Sequence, residues 1–430
     1  MSNIGWRHLT ADDKSAILRG VADGKAYAGP FHAEIYPADR CNIECFFCST
    51  AAIRGTDELS LQRIEELIDE LKRAGTRSIR LAGGGEPLFH RKTKDMLRRI
   101  SAARLPIENL TTNAVLLDEE TAGILASCCD EVTVSLNTVG GESYSQMMQT
   151  PARNYDRVVT NVRNLISARK RAKRDQPLIN LQFLVWRDNF RSLPQMYDLA
   201  RELDVDAITF NGLSGLTPDQ AMSDDEFAEM MRLYEDIIRR DEFRRIRTIT
   251  SFEREISGDV AEMTTRISRE RDGAPLLSRV PRFLRRDDYT LREKLAHRRR
   301  VRENHRGDQE TASFDESCII GWHTLVIRSH GLVAPCCILP TKVLGNIFKS
   351  SVEDIWYSEA YQKFRSELTA IMADPEGWEA GPDDSTVVNM CGKRGEFSCP
   401  MKSFYYVRDV PFVKQLERTF AAKRAVPRSS

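Results

Sequence analysis

Three cysteines lie close together near the start of the chain, at Cys41, Cys45 and Cys48. Their spacing, C-x3-C-x2-C, places three thiols on one short segment directly after a predicted strand. Three thiolates can bind three irons of a cuboidal 4Fe–4S cluster and leave the fourth iron without a protein ligand. Such an open metal position is where a substrate or cofactor binds. The alternative is a zinc site that takes its fourth ligand from a distant residue.

A second group of cysteines lies near the C-terminus, so the sequence predicts a second metal site. Between the two groups lie Cys128 and Cys129, which we expect to be buried small apolar residues at a helix end. In a reducing compartment, clustered cysteines are metal ligands or catalytic groups more often than disulfides. The C-terminal group consists of Cys318, Cys336, Cys337, Cys391 and Cys399.

The composition of the 430-residue chain fits a soluble protein of two or three domains. Lys and Arg together number 63, equal to Asp and Glu, which argues against nucleic acid as a partner. No apolar run is long enough to span a membrane. The N-terminus lacks the apolar core of a secretory signal, so we expect a cytoplasmic protein.

Strand-like and helix-like patterns alternate six times between about residues 33 and 240. Strands alternating with helices imply parallel pairing with right-handed crossovers. Six units are too few for a closed eight-fold barrel, so we predict an α/β fold with an open, partial (β/α)6 barrel. The predicted strands are 32–36, 78–82, 107–111, 132–136, 179–185 and 207–210.

A basic segment follows the predicted barrel. Residues 239–306 contain 20 Lys and Arg but only 12 Asp and Glu, and we interpret them as a solvated helical linker. The alternative is a basic wall that attracts an acidic or phosphorylated substrate. The predicted organisation is an N-terminal extension at 1–32, the barrel at 33–238, a linker at 239–312, a small α+β domain at 313–405 and a tail at 406–430.

The first cysteine cluster resembles that of the radical S-adenosylmethionine (radical SAM) superfamily. Phe47 stands just before the third cysteine, where the family usually has an aromatic residue. The second predicted strand ends in Gly83-Gly84-Gly85-Glu86-Pro87, which is similar to the family's GGEP motif. The resemblance implies that this segment holds the methionyl amino group of SAM. It further implies SAM-binding roles for residues at the strand ends, and we assign cofactor binding to Phe47, Gly84, Gly85, Glu86, Ser135, Asn137 and Arg187.

The family's chemistry is a further implication of this resemblance. SAM would bind the open iron of the cluster held by Cys41, Cys45 and Cys48, and reductive cleavage would yield a 5′-deoxyadenosyl radical. That radical abstracts hydrogen from an unactivated carbon of the substrate. The expected partners are the substrate and a one-electron donor such as flavodoxin or ferredoxin.

The C-terminal cysteines resemble the opening of a SPASM or twitch domain, a module that carries auxiliary clusters. The pattern Cys318-x12-Gly331-x4-Cys336 and the sequence Leu344–Ile347 both match this module. The chain offers too few cysteines there for two fully thiolate-ligated clusters. We therefore expect one auxiliary 4Fe–4S cluster, with Cys337 as a candidate hydrogen donor. The expected ligands are Cys318, Cys336, Cys391 and Cys399.

Three functions are consistent with the sequence. The first is a radical SAM enzyme that oxidises, epimerises or rearranges a polar metabolite, such as a sugar, an aminocyclitol or a nucleotide-linked compound. The second is a maturase that epimerises or cross-links a ribosomally made peptide. The third, of another class, is a non-catalytic zinc or iron–sulfur electron carrier. The GGEP-like segment favours the enzymes, because an electron carrier has no use for it.

Overall fold

The computed structural model describes residues 5–48, 50–51, 54–213, 222–240, 246–249, 319–336 and 343–373, with single positions at 412, 415, 418 and 420. Over these residues, no helix is both long and apolar enough to cross a membrane. Strands and helices alternate along the first 250 residues, as the sequence pattern predicts.

The bounds of the elements are as follows. The helices are α1 Ala11–Asp23, α2 Leu61–Arg73, α3 Thr93–Ala102, α4 Glu119–Cys128, α5 Gly141–Met148, α6 Arg153–Arg171, α7 Leu193–Glu202, α8 Asp224–Arg240, α9 Val352–Trp356 and α10 Glu359–Ala373. The strands are β1 His32–Ile35, β2 Ser78–Leu81, β3 Ile107–Thr112, β4 Glu131–Ser135, β5 Leu178–Val185, β6 Ala207–Gly212, β7 Ile246–Ile249, β8 Thr324–Ile327, β9 Leu332–Ala334 and β10 Gly345–Asn346.

Helix α2 shows how local sequence sets these elements. The side chain of Ser60 accepts a hydrogen bond from the amide of Arg63 and so caps the helix start. Apolar residues recur at helical spacing after it and form one buried face. That face packs on the sheet and consists of Ile64, Leu67, Ile68 and Leu71.

The strands of the described residues form one sheet, in the order β10-β9-β8-β1-β2-β3-β4-β5-β6-β7. Strands β1 to β7 are parallel to their neighbours, and the sheet does not close into a barrel. The six predicted strands and the open barrel are confirmed. Two further parallel strands join them, because β7 pairs with β6 and β8 pairs with β1.

The position of β7 differs from the sequence interpretation. Residues 246–249 lie in the segment that we predicted to be a helical linker, yet they form a strand beside β6. Helix α8 also continues to Arg240, beyond the predicted end of the barrel at 238. A strand of four residues is too short to show a clear periodic pattern. The basic composition of the segment instead favoured the interpretation as a linker.

The two faces of the sheet differ in chemistry. The face covered by helices is apolar and contributes residues such as Ile35, Leu81 and Leu325 to the main core. The opposite face, called here the inner face, carries polar side chains that bond across the strands. Arg80 Nη2 donates to Thr111 Oγ1 at 3.0 Å, and Asn109 Nδ2 donates to Thr133 Oγ1 at 3.0 Å. The sheet therefore presents a polar surface on its inner face.

The C-terminal residues 319–336 and 343–373, called here the auxiliary region, pack directly on the barrel. Strand β8 extends the sheet from β1, and it forms an antiparallel hairpin with β9. Helix α10 contacts α1, where Thr369 Oγ1 donates to the carbonyl of Val21 at 2.8 Å. Buried Arg365 stabilises the region internally, because its Nε donates to the carbonyl of Gly321 at 2.7 Å.

The N-terminal segment closes the amino ends of the strands. The Gly5 amide donates to Glu108 Oε2 at 2.7 Å, and the Gly5 carbonyl lies 2.8 Å from His323 Nε2. Trp6 packs edge-on against Phe412, which is buried although it lies in the predicted tail at 406–430. Ligands therefore have access to the inner face from the carboxyl ends of the strands.

Candidate active site

The three N-terminal cysteines lie on the loop after β1, and we call residues 41–48 the cysteine loop. Its backbone is bonded to the C-terminal end of α5. The amide of Glu44 donates to the carbonyl of Met148 at 3.2 Å, and the amide of Phe46 donates to the carbonyl of Met147 at 3.4 Å. The last turn of a helix has free carbonyls, so these bonds satisfy both partners. Helix α5 thus fixes the loop in place.

Each sulfur of the cysteine loop has a polar or polarisable neighbour. Cys41 Sγ lies 3.8 Å from Asn113 Nδ2, and Cys48 Sγ lies 3.2 Å from Thr50 Oγ1. Cys45 Sγ lies 3.7 Å from Met148 Sδ. Sequence analysis did not identify Thr50 or α5 as part of the site. The apolar spacing of Tyr144, Met147 and Met148 was the signal that could have revealed the helix.

Burial makes two of these thiols hard to ionise without a cation. It raises the pKa of Cys41, and it raises the pKa of Cys45 to about 12, with the neighbouring thiols Cys41 and Cys48 adding to the effect on Cys45. A bound metal centre would stabilise both groups as thiolates. The donor set and its half-buried position therefore fit an iron–sulfur cluster.

The predicted glycine segment, Gly83–Glu86, lies beside the cysteine loop. The amide of Glu86 donates to the carbonyl of Arg40 at 3.0 Å, and Thr50 Oγ1 donates to the carbonyl of Gly84 at 2.7 Å. A Cβ at Gly85 would lie 2.2 Å from the Arg40 carbonyl oxygen, so a side chain cannot fit there. A Cβ at Gly84 would contact only Asp39 Oδ1, at 3.5 Å, so this residue borders open space. The two segments form a cradle next to the sulfurs.

Glu86 is fully buried and joins the glycine segment to the end of β3. Its carboxylate accepts hydrogen bonds from the Leu88 amide, the Thr112 hydroxyl and the Asn113 amide, at 3.0, 2.6 and 2.7 Å. Burial raises the pKa of this carboxyl, although these donors oppose the shift. Glu86 therefore positions Asn113, whose amide group contacts Cys41.

The other predicted SAM-binding residues lie at the same edge of the sheet. Half-buried Phe47 follows Phe46, whose ring lies 4.9 Å from that of Trp186. Ser135 ends β4 opposite Gln182. The side-chain oxygen of buried Asn137 accepts a hydrogen bond from the Leu184 amide at 3.1 Å. Their roles in binding SAM remain predictions.

Arg187 differs from this group because it is exposed. Its Nε lies 3.3 Å from Glu226 Oε1 at the start of α8, in a surface ion pair. A carboxylate of SAM would have to replace Glu226 as its partner. The structure thus places Arg187 beyond the end of β5, with its charge already paired.

Of the predicted auxiliary ligands, the structure describes Cys336 alone. It follows β9 and is buried against the main core. Its neighbour Tyr361 is fully buried, with its hydroxyl donating to the Ala334 carbonyl at 3.3 Å. The remaining predicted ligands and the candidate hydrogen donor lie outside the described residues, namely Cys318, Cys391, Cys399 and Cys337. Cys128 and Cys129 agree with the prediction, since Cys129 is buried and Cys128 is half-buried at the end of α4.

Comparison with protein families covers the first cysteine group and part of the second. Residues 35–175 match the radical SAM superfamily, and residues 318–377 match the iron–sulfur cluster-binding domain named SPASM. These domains imply a 4Fe–4S cluster with SAM and auxiliary clusters. The SPASM match includes Cys318, Cys336 and Cys337 but ends before Cys391.

Curated relatives match part of the chain. A GTP 3′,8-cyclase of Rhodopirellula baltica is 32% identical over 136 residues, which cover 30% of this chain and 37% of the relative. A probable GTP 3′,8-cyclase of Methanosarcina mazei is 28% identical over 168 residues, covering 36% of this chain and 49% of the relative. The chain thus spans about half the length of such relatives or less.

Solved structures share the fold. Streptococcus suis SuiB bound to S-adenosylmethionine has a TM-score of 0.52 at 18% identity and covers 79% of this chain and 68% of SuiB. SuiB bound to its precursor peptide SuiA has a TM-score of 0.53 at 17% identity, with 79% and 67% coverage. These likenesses concern the fold alone.

Proposed function

The chain carries a radical SAM domain followed by a SPASM domain, and from this premise we propose that it abstracts hydrogen from a polar metabolite. The cluster held by Cys41, Cys45 and Cys48 would reductively cleave SAM to a 5′-deoxyadenosyl radical. The outcome for the substrate would be oxidation, epimerisation or rearrangement. The protein itself would bind and orient SAM and the substrate, and it would keep water out of the site.

The observation that carries this proposal is the polar inner face of the sheet, which leads to the cysteine loop. Arg80 pairs there with Glu34 and donates to Thr111, and Thr209 Oγ1 donates to Asn180 Oδ1 at 3.0 Å on neighbouring strands. Apolar sites suit apolar ligands, whereas convergent polar groups orient a ligand with hydroxyl, amino or phosphate groups. A sugar, an aminocyclitol or a nucleotide-linked compound fits this surface.

The residues beside the cysteine loop would hold SAM. Gly84 lets the ligand approach the backbone, and buried Glu86 holds the glycine segment against β3. Ser135 and Asn137 lie at the end of β4, on the same edge, and would supply polar contacts. Arg187 would exchange its partner Glu226 for the carboxylate of SAM.

In the auxiliary region, we propose one 4Fe–4S cluster with Cys318, Cys336, Cys391 and Cys399 as ligands. Cys336 is buried just after β9 of the β8–β9 hairpin, which supports its role as a ligand. Cys337 remains the candidate hydrogen donor for an epimerisation. A flavodoxin or ferredoxin would supply the electron.

A peptide is the second candidate substrate. The neighbour SuiB was solved with its precursor peptide SuiA, and its fold resembles that of this chain. The GTP 3′,8-cyclase relatives instead favour a nucleotide-like metabolite. A zinc protein or simple electron carrier is disfavoured, because the radical SAM match covers the cysteine loop and the glycine segment together.

The test is hydrogen transfer to the deoxyadenosyl product. The anaerobically reconstituted enzyme is incubated with separate pools of sugar phosphates, nucleotides and short peptides that carry deuterium on carbon. Deuterium in 5′-deoxyadenosine from a metabolite pool supports the proposal. Deuterium transfer from peptides alone would favour the maturase, and bound zinc without SAM cleavage would reject both.

A further inference from the structure

Arg328 lies immediately after β8, in the turn of the β8–β9 hairpin. Strand β8 is parallel to β1, so this turn lies at the same edge of the sheet as the cysteine loop. The guanidinium of Arg328 lies over the ring of Tyr36, with 5.4 Å from its Cζ to the ring centroid. Tyr36 packs with Val326, Ala82 and Ala334 apart from the main core. Arg328 therefore projects from the inner face.

The turn holds Arg328 in a fixed position. The amide of Arg328 donates to the Leu332 carbonyl at 2.9 Å, and the amide of Gly331 donates to the Arg328 carbonyl at 2.8 Å. Gly331 has a positive φ of 81°, which favours glycine. The next two residues are anchored as well, because Ser329 and His330 both contact Asp39. A side chain on such a turn is preorganised for binding.

The guanidinium of Arg328 is buried, with only 5% of the residue exposed. Its Nε and Nη2 are inaccessible to solvent, and no acceptor for them lies among the described residues. A guanidinium carries a positive charge in proteins. A buried charge without a partner is costly, and an anion would offset that cost.

The neighbouring carboxylates are already engaged. Glu34 accepts a hydrogen bond from the Tyr36 hydroxyl at 3.0 Å and lies 3.5 Å from Arg80 Nη1. Asp39 accepts a hydrogen bond from Ser329, and its second oxygen lies 3.6 Å from His330 Nδ1. Two free donors on one planar group match the two oxygens of a carboxylate or phosphate.

We propose that Arg328 binds an anionic group of the substrate, a carboxylate or a phosphate, on the inner face beside the cysteine loop. This assignment rests on the proposed function and narrows its substrate to anionic metabolites. The carboxylate of SAM is the other anionic group that could bind Arg328. Measuring the affinity of the same variants for SAM distinguishes the substrate from SAM.

The test compares Arg328→Gln with the unchanged protein and with Arg191→Gln, all as reconstituted holoenzymes. Arg191 is an exposed arginine paired with Glu229, so its replacement is the matched control. Melting temperature is followed during titration with inorganic phosphate, and separately with acetate, at constant ionic strength. We expect saturable stabilisation of the unchanged protein and of Arg191→Gln by at least one anion, and at least tenfold weaker binding by Arg328→Gln.

Two further measurements keep the inference open to refutation. The Kd for SAM should change less than twofold in Arg328→Gln, and a tenfold rise with unaltered anion binding would assign Arg328 to SAM instead. Without added anion, Arg328→Gln loses the contact between the guanidinium and the Tyr36 ring, so its own melting temperature is the baseline for its titrations. A lower baseline together with unaltered anion binding would mean that Arg328 only stabilises the fold, which overturns the proposal.

Arg328→Lys provides a second variant, because it retains the charge without the planar fork. We expect it to bind the anion more weakly than arginine but more tightly than glutamine, and equal binding by all three variants would contradict the inference. SAM cleavage by the unchanged protein is measured separately. Its absence would refute the proposed function, while the anion titrations would still decide the role of Arg328.

Discussion

The hydroxyl of Ser329 donates a hydrogen bond to Oδ1 of Asp39, and both residues are buried. Asp39 lies two residues before Cys41, and Ser329 lies in the turn of the β8–β9 hairpin. The contact therefore joins the auxiliary region to the start of the cysteine loop.

Ser329→Ala should lower the free energy of unfolding by about 2 kcal/mol, because a buried carboxylate loses a donor. Chemical denaturation of the reconstituted protein measures the change. Ser15→Ala is the matched control, since Ser15 is exposed on α1 and should change stability little. In an Asp39→Asn background, the effect of Ser329→Ala should shrink. An undiminished effect would show that the two residues are not coupled.

Cys45→Ala should remove about four irons per chain, because two thiols no longer retain a cubane cluster. Colorimetric iron analysis and the absorbance of the cluster measure the loss. Cys128→Ala is the control, because that thiol lies at the end of α4, where its Sγ contacts the carbonyl of Ile124. Iron content should stay at the unchanged level in the control. Equal iron in both variants would mean that Cys45 is not a ligand.

Gly85→Ala should destabilise the protein by about 2–3 kcal/mol and reduce its iron content. The added Cβ would lie 2.2 Å from the Arg40 carbonyl oxygen and 2.4 Å from that of Asp39, so the cysteine loop must move. Gly123→Ala is the control in α4, where a Cβ has no atom within 4 Å. It should stabilise the helix by about 0.5–1 kcal/mol. In thermal unfolding, the melting temperature should fall in Gly85→Ala and rise in Gly123→Ala. An unchanged melting temperature in Gly85→Ala would contradict the close packing.

His323 should make the protein less stable as the pH falls. Burial lowers its pKa to about 4, below the value near 6.5 of an unfolded histidine. A lowered folded-state pKa gives stability that is complete above about pH 6.5 and declines as the pH falls towards 4. When the pH falls from 7 to 5, protonation linked to His323 should lower the free energy of unfolding by about 2 kcal/mol.

The measurement compares the unchanged protein with His323→Gln at both pH values, because other groups titrate nearby. His32 is also buried with a lowered pKa, whereas the pKa values of His8 and Glu108 are raised. The difference between the two proteins isolates His323. We expect the unchanged protein to lose stability relative to the variant by about 2 kcal/mol. Parallel pH profiles would show that His323 does not titrate in this way.

The sequence predicted the six barrel strands and the carboxyl edge at which the cysteine loop and the glycine segment meet. These features follow from local periodicity and from the parallel geometry of βα units. Helix α5 escaped prediction because it is short and begins at glycine. Its contact with the cysteine loop is a tertiary relationship that no spacing encodes.

The pairing of β8 with β1 could not be read from the sequence either. The two strands are separated by almost 300 residues, and a β8–β9 hairpin alone does not specify its neighbour. The same limit applies to Arg328, which only this pairing places beside Tyr36. Arg187 was selected by its position after β5, yet its ion pair with Glu226 depends on the docking of α8.

The most direct measurement is the formation of 5′-deoxyadenosine by the anaerobically reconstituted protein with SAM and dithionite. Our account predicts product from the unchanged protein and from Cys128→Ala, and none above background from Cys45→Ala. Product formation by Cys45→Ala at the unchanged rate would contradict the assignment of the cysteine loop. A fully iron-loaded protein that leaves SAM intact would contradict the proposed chemistry as a whole.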